Sequence, residues 1–193
     1  MAQKILIIDG HPDPARARFC HALADAYVDG AMSAGKETRL ITVAELPLEV
    51  VRTAAEFGTA PTSAQIVSAQ ADIVWADHLV LVFPLWLGGA PALLRAFLEQ
   101  IARGDFFAAT EGLGIRSKFK GKSARLIVTM GMPAIIYRLF FHAHGVRNIM
   151  GGVLGFAGFG PVHATMCGAI ESVTARQQSA RLAKVRALGR DGR

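Results

Sequence analysis

The strongest constraint in this chain is the alternation of two kinds of segment. Short β-rich runs occur at Lys4–Asp9, Thr38–Val43, His78–Phe83, Ala124–Met130 and Gly152–Phe156. All but the second are nearly continuous apolar runs, as parallel strands covered on both faces must be. Amphipathic stretches lie between them. Phe19–Ala34 places Leu23, Ala26, Tyr27, Gly30 and Ala34 at helical spacing, and Gly35 follows as a C-terminal cap. Ser63–Ala71, Ala90–Ala102 and Ser172–Leu188 also read as helices, and Pro91 suits a first helical turn. Such alternation implies a parallel sheet with right-handed crossovers. The expected fold is an α/β, doubly wound sandwich: a five-stranded parallel sheet of order 2-1-3-4-5 with helices on both faces. In that topology a ligand sits beyond the carboxyl ends of the strands, where the strand order reverses.

A length of 193 residues fits one domain over 1–193, and 52% hydrophobic content supplies a large core. Cys20 and Cys167 stand in unrelated contexts, without disulfide or zinc spacing, and since the N-terminus enters a strand-like run at once a secretory leader is not expected. The expected setting is the cytoplasm. Two stretches lack charge, Leu79–Leu94 and Asn148–Ile170, but the second alone holds six glycines and Pro161. Both read as buried strands with turns and not as membrane spans.

The net charge of +6 is unevenly placed: residues 174–193 carry six basic side chains against Asp191 alone. A basic helix is expected at about 172–189. A second run, Arg116–Arg125, has five cations, and Phe119 is the only aromatic in either run. Nucleic-acid binding would call for interleaved aromatics, so both runs read as solvated surface.

Three loops carry the chemistry. The first, Gly10-His11-Pro12-Asp13-Pro14-Ala15-Arg16-Ala17-Arg18-Phe19-Cys20, joins a buried strand to a helix N-terminus. Free N–H groups and the helix dipole favour an anion there, and His11, Arg16 and Arg18 add donors and charge. It has neither a dinucleotide fingerprint nor a Walker pattern. The second, Phe83-Pro84-Leu85-Trp86-Leu87-Gly88-Gly89-Ala90-Pro91-Ala92, sets Trp86 among apolar residues where a flat ring could pack. The third, Thr129-Met130-Gly131-Met132-Pro133, leads to Tyr137, His142 and His144. Two histidines at i and i+2 should point to different sides of a helix, which argues against a shared metal ion.

With these motifs in view, the chain resembles the flavodoxin-like NAD(P)H:quinone oxidoreductases, a family that includes mammalian quinone reductase. Gly10-His11-Pro12-Asp13-Pro14 matches the family's first loop, and Phe83-Pro84-Leu85-Trp86 with Gly89-Ala90-Pro91-Ala92 matches its second. Thr129-Met130-Gly131-Met132, Tyr137 and His144-Gly145 match the third in spacing. Arg18 and Cys20 replace the family's phosphate-binding serine and asparagine, Leu87 its second ring-site aromatic, and Met130 and Met132 a threonine and a glycine.

The resemblance implies a flavodoxin-like fold and a flavin, FMN or FAD. Its phosphates would lie on His11, Arg16, Arg18, Phe19 and Cys20. Its ring would lie over Pro84, Leu85, Trp86, Leu87, Thr129, Met130, Gly131 and Met132. It further implies NAD(P)H as hydride donor, a quinone-like acceptor, and a homodimer whose subunits share the active site. Tyr137 and His144 are the candidates for stabilising charge on the ring or acceptor, and N–H groups at Leu85–Leu87 and Gly131 for tuning the ring. The alternative is a regulatory or ancillary flavodoxin-like subunit with little turnover. A single-electron carrier fits less well, since flavodoxins are acidic and this chain is basic. A phosphoryl receiver would need an aspartate where the third strand ends Phe83-Pro84-Leu85, and a serine hydrolase would need a nucleophile elbow.

Overall fold

The computed structural model describes residues 2–111 and 114–193. Five strands, β1 (Lys4–Asp9), β2 (Glu37–Thr42), β3 (His78–Pro84), β6 (Ser123–Thr129) and β7 (Val162–Cys167), form one parallel sheet in the order β2-β1-β3-β6-β7. A hairpin of β4 (Ala108–Glu111) and β5 (Gly114–Ser117) stands apart from it. The helices are α1 (Phe19–Ser33), α2 (Ala54–Gly58), α3 (Ala64–Trp75), α4 (Ala92–Ala102), α5 (Ala134–Phe140), α6 (His144–Arg147) and α7 (Ala175–Asp191). The expected sheet order is therefore present.

The central strands show why continuous apolar runs were needed. Every residue of β3 is buried, and β1 is buried from Ile5 onward. Alternate side chains feed two cores. Leu6, Ile8, Leu79 and Leu81 pack against α3 and α4, while Ile5, Ile7, Val80 and Val82 pack against α1. α1 and α7 lie in contact through small residues. A Cβ on Gly30 would fall 2.0 Å from the Arg186 carbonyl oxygen, and one on Gly189 2.1 Å from that of Tyr27. α7 starts in a capping box, in which Gln177 N–H donates to Thr174 Oγ1 (3.3 Å) and Thr174 N–H to Gln177 Oε1 (2.9 Å).

One strand lies elsewhere than expected. Gly152–Phe156 is not β: α6 runs on into a π-helical segment, Asn148–Gly155, that buries Ile149 and Leu154. The fifth strand is β7, whose sequence VHATMC buries only Cys167. β7 is an edge strand, so His163 and Thr165 can be polar and the continuous apolar signature is absent. A short apolar run with glycines has no periodicity to separate strand from buried helix. Among the described residues no helix is long and apolar enough to cross a membrane. The uncharged stretches are instead β3 with the start of α4, and the π-helical segment with β7.

At the amino end of the sheet His78 is buried, stacked on Tyr27, with Nδ1 2.7 Å from Ser123 Oγ. Burial above all, then Arg125, lowers its pKa from 6.5 to about 4. The fold thus favours neutral His78. Its contribution, roughly 3 kcal/mol, is present above pH 6.5 and lost as pH falls toward 4. Urea unfolding of wild type and His78→Asn across that window should show a shallower pH dependence in the variant. Identical slopes would contradict this assignment.

Candidate functional site

β1, β3, β6 and β7 deliver four loops to one end of the sheet. The first is organised from below. Asp9, the last residue of β1, is buried; its Oδ1 accepts from His11 N–H (3.2 Å), and its Oδ2 meets His21 Nδ1. His21 Nε2 lies 2.9 Å from the Asp13 carbonyl oxygen. Both ring nitrogens of His21 thus face oxygens, which fixes the ring between the end of β1 and the first loop. His11 Nδ1 lies 3.0 Å from the Asp13 amide nitrogen and 3.1 Å from the Asp13 carbonyl oxygen, so that edge of the ring is turned onto the Asp13 backbone. Burial lowers the His11 pKa and favours the neutral ring.

The arginines of this loop carry internal partners. Arg18, the residue before α1, holds Asp13 through Nε (2.8 Å) and Nη2 (2.6 Å), and Arg16 pairs with Asp25. The Ala15 N–H, followed by the Arg18 guanidinium, keeps the Asp13 carboxyl below the usual carboxylate range. α1 has no side-chain cap. Among the described hydrogen bonds none uses the N–H of Phe19 or Cys20. The Cys20 side chain turns away from the loop. Its Sγ is buried 3.2 Å from Thr129 Oγ1, and burial pushes the thiol up to about 12. Thr129 is buried with it, so both side chains belong to the core beneath the loops.

The loop after β3 is a tight turn. Trp86 and Gly89 exchange both backbone hydrogen bonds at 2.9 Å, with Leu87 at φ +48° and Gly88 at φ +77°. Positive φ at both central positions is the geometry of a hairpin turn. It throws the Leu87 side chain fully into solvent (108% of its reference area) and leaves Trp86 half exposed (50%). Pro84 is buried, and the Leu85 N–H donates to Thr129 O (2.7 Å). Of the N–H groups at Leu85–Leu87, only that of Leu87 has no acceptor among the described hydrogen bonds.

The loop after β6 closes on this turn. Met130 is buried, while Gly131 and Met132 are exposed. Tyr137 is buried, and its hydroxyl donates to Gly88 O (2.9 Å). Gly145 packs so closely that a Cβ would lie 2.1 Å from Gly88 O and 2.6 Å from Gly89 Cα. His142 and Ala143 are left-handed (φ +49° and +51°), which brings the His142 and His144 rings to 5.6 Å instead of sending them apart. Among the described residues no group of three or more His, Cys, Asp or Glu is placed to hold a metal.

The structure therefore gathers His11, Arg18, Phe19, Trp86, Leu87, Gly131, Met132 and His144 at the loop end of the sheet, with Tyr137 as a buried tie. His11 meets Trp86 edge-on at 6.1 Å, which links the first loop to the second. The pair that shapes the first loop, Asp9 and His21, was not among the sequence candidates. A carboxylate ending an apolar strand and a histidine among the apolar residues of α1 were the available signals.

A parallel sheet in this order, with its loops gathered at the reversal of strand order, defines a doubly wound α/β protein, the topology in which ligands sit at that reversal. Residues 3–189 match the model of the flavodoxin-like fold family, and the chain belongs to that family. Over 102 residues, 50% of this chain, it is 33% identical to NAD(P)H dehydrogenase (quinone) 1 of Cavia porcellus. That stretch spans only 37% of the guinea pig protein's length. Among solved structures, the NAD(P)H:quinone oxidoreductase of Methanothermobacter marburgensis superposes with a TM-score of 0.83 at 17% identity, covering 99% of this chain and 97% of that one. An FMN-dependent NADH-azoreductase of Bacillus anthracis, in complex with FMN, gives 0.75 at 13% identity, covering 97% of each. At these identities the structures show a shared fold.

Gly145→Ala should displace the Gly88–Gly89 turn, because the groups it meets are backbone and cannot swing aside. We expect a loss of about 1–3 kcal/mol in urea unfolding and quenching or shift of the Trp86 fluorescence. Unchanged stability and emission would contradict the contact.

Proposed function

We propose that this chain is a flavin-dependent NAD(P)H oxidoreductase that reduces quinones or similar electrophilic acceptors by two electrons. The observation carrying this reading is the uncapped N-terminus of α1, flanked by His11 and Arg18 and followed across the cleft by exposed Trp86. The donor set fits a flavin phosphate: the N–H groups of Phe19 and Cys20, the His11 ring, and guanidinium groups held nearby by Asp13 and Asp25. Cys20 contributes its backbone and not its side chain. Trp86, Leu87 and Met132 offer apolar surface to a ring, and the Leu87 N–H is a donor for a ring heteroatom.

A bound flavin would supply the two-electron redox chemistry between nicotinamide and acceptor. The chain holds and orients. Tyr137 is a positioning residue, because its hydroxyl is spent on Gly88 O and fixes the turn that carries Trp86 and Leu87. His144, exposed at the start of α6, can give a proton to a reduced acceptor. The apolar side chains exclude water from the face they line.

The reading includes a homodimer in a cytoplasmic setting. The support is a cleft of about 330 Å³ floored by Phe57, Leu98, Phe107, Val153 and Phe156, with Arg95, Glu99 and Asp105 also lining it. An apolar floor with charges of both signs is the composition that a two-fold self-interface can use. The two unpaired buried cysteines suit a reducing compartment.

The test uses the purified chain with added FMN or FAD, NADH or NADPH, and a benzoquinone. One quinone should be lost per NAD(P)H oxidised; no turnover with either flavin sinks the proposal. Ala17→Asp sets a carboxylate beside the free N–H groups of α1. It should leave folding stability intact while weakening flavin binding about tenfold, roughly 1–2 kcal/mol. Undiminished affinity would show that the phosphate lies elsewhere.

A further inference from the structure

α5 is an unusual surface element. Of its seven residues, AIIYRLF, only Tyr137 is buried. Ile135, Ile136, Leu139 and Phe140 are exposed, and Phe141 just beyond continues the patch. Beside it, between α5, α6, the edge strand β7 and α7, lies a second cleft of about 580 Å³. Apolar Ile135, Ala143, Val146, Met150, Ala164 and Met166 line it. Its charged lining residues are Arg138, Arg147 and Lys184, with no carboxylate among the residues lining it. None of these three cations has an ion pair or hydrogen bond among the described residues. Ile135 and Leu139, one turn apart on α5, flank Arg138, so the apolar patch and the cationic cleft are continuous.

We propose that this face docks on an anionic phospholipid bilayer. Lipid phosphates would occupy the cleft under Arg138, Arg147 and Lys184, while Leu139 and Phe140 enter the headgroup boundary. The charge pattern selects this occupant. A second copy laid patch on patch would set three cations against three cations, unlike the α4 cleft, where both signs are present. An anionic bilayer answers the cations and the apolar side chains at once, because its phosphates lie directly over its acyl chains. The proposal does not depend on the redox reading, since it uses neither α1 nor the ring-facing side chains. α5 also carries Tyr137, which holds Gly88, so a docked chain would bring its candidate site close to the bilayer surface.

The experiment is co-sedimentation of the full chain with phosphatidylcholine vesicles and with mixed phosphatidylcholine–phosphatidylglycerol vesicles. Binding is expected to the mixed vesicles only, and to fall as salt is raised. Each cation near an anionic surface contributes roughly fivefold. Arg138→Gln/Arg147→Gln/Lys184→Gln should therefore weaken partitioning about 100-fold. Leu139→Ser/Phe140→Ser should weaken it at least tenfold with an unchanged circular dichroism spectrum. Lys118→Gln/Lys120→Gln/Arg176→Gln removes the same charge elsewhere and should bind like wild type. The proposal is overturned by binding to neither vesicle or to both equally. It is equally overturned if the Lys118/Lys120/Arg176 variant weakens as much as the cleft variant. Sedimentation equilibrium adds one further refuting outcome, dissociation of a dimer by the Leu139/Phe140 change, which would make the patch a self-interface.

Discussion

Covering both faces of β1, β3 and β6 is the constraint from which the rest follows. Their side chains feed two cores, one under α1 and one under α3 and α4, and little within them reaches solvent. Chemistry is displaced to the carboxyl ends, where the chain leaves the sheet and backbone groups lose their ladder partners. The strand order reverses between β2-β1 and β3-β6-β7, so the loops after β1 and β3 diverge and leave a crevice.

Inside that crevice the loops are tied to one another and do not stand alone. Asp9 anchors His11 and His21, and His21 reaches the Asp13 carbonyl, so the first loop is shaped by a carboxylate buried beneath it. The His11 edge meets Trp86; Leu85 N–H meets Thr129 O; Tyr137 and Gly145 converge on Gly88. A turn with two positive-φ residues is held by contacts from a different part of the sequence, and Leu87 bears the cost at its tip. Rigid support of this kind is what a site needs if a flat ligand is to be gripped from two sides.

The sheet order was legible because β1, β3 and β6 are buried on both faces and so carry an unbroken apolar signature. β7 was not, since an edge strand can place His163 and Thr165 in its middle, and a glycine-containing apolar run upstream imitated it. The three loops were legible from their positions after strands, together with Trp86 and the anion-favouring helix start. Side-chain direction was not. Cys20 lies in the first turn of α1, but that turn aims it at Thr129, and the Arg16 and Arg18 partners Asp25 and Asp13 depend on loop geometry that spacing alone does not encode. The Asp9–His21 pair joins residues twelve apart through a loop, so no local pattern announces it.

Everything functional in this account rests on an anion seated on the unprotected amide groups that begin α1. A crystal of the chain grown with FMN measures this directly. The account predicts phosphate oxygens within hydrogen-bond distance of the Phe19 and Cys20 nitrogens and of His11 Nε2, with the isoalloxazine against Trp86. Density for FMN anywhere else, or none despite saturating ligand, would contradict it and leave only the architecture standing.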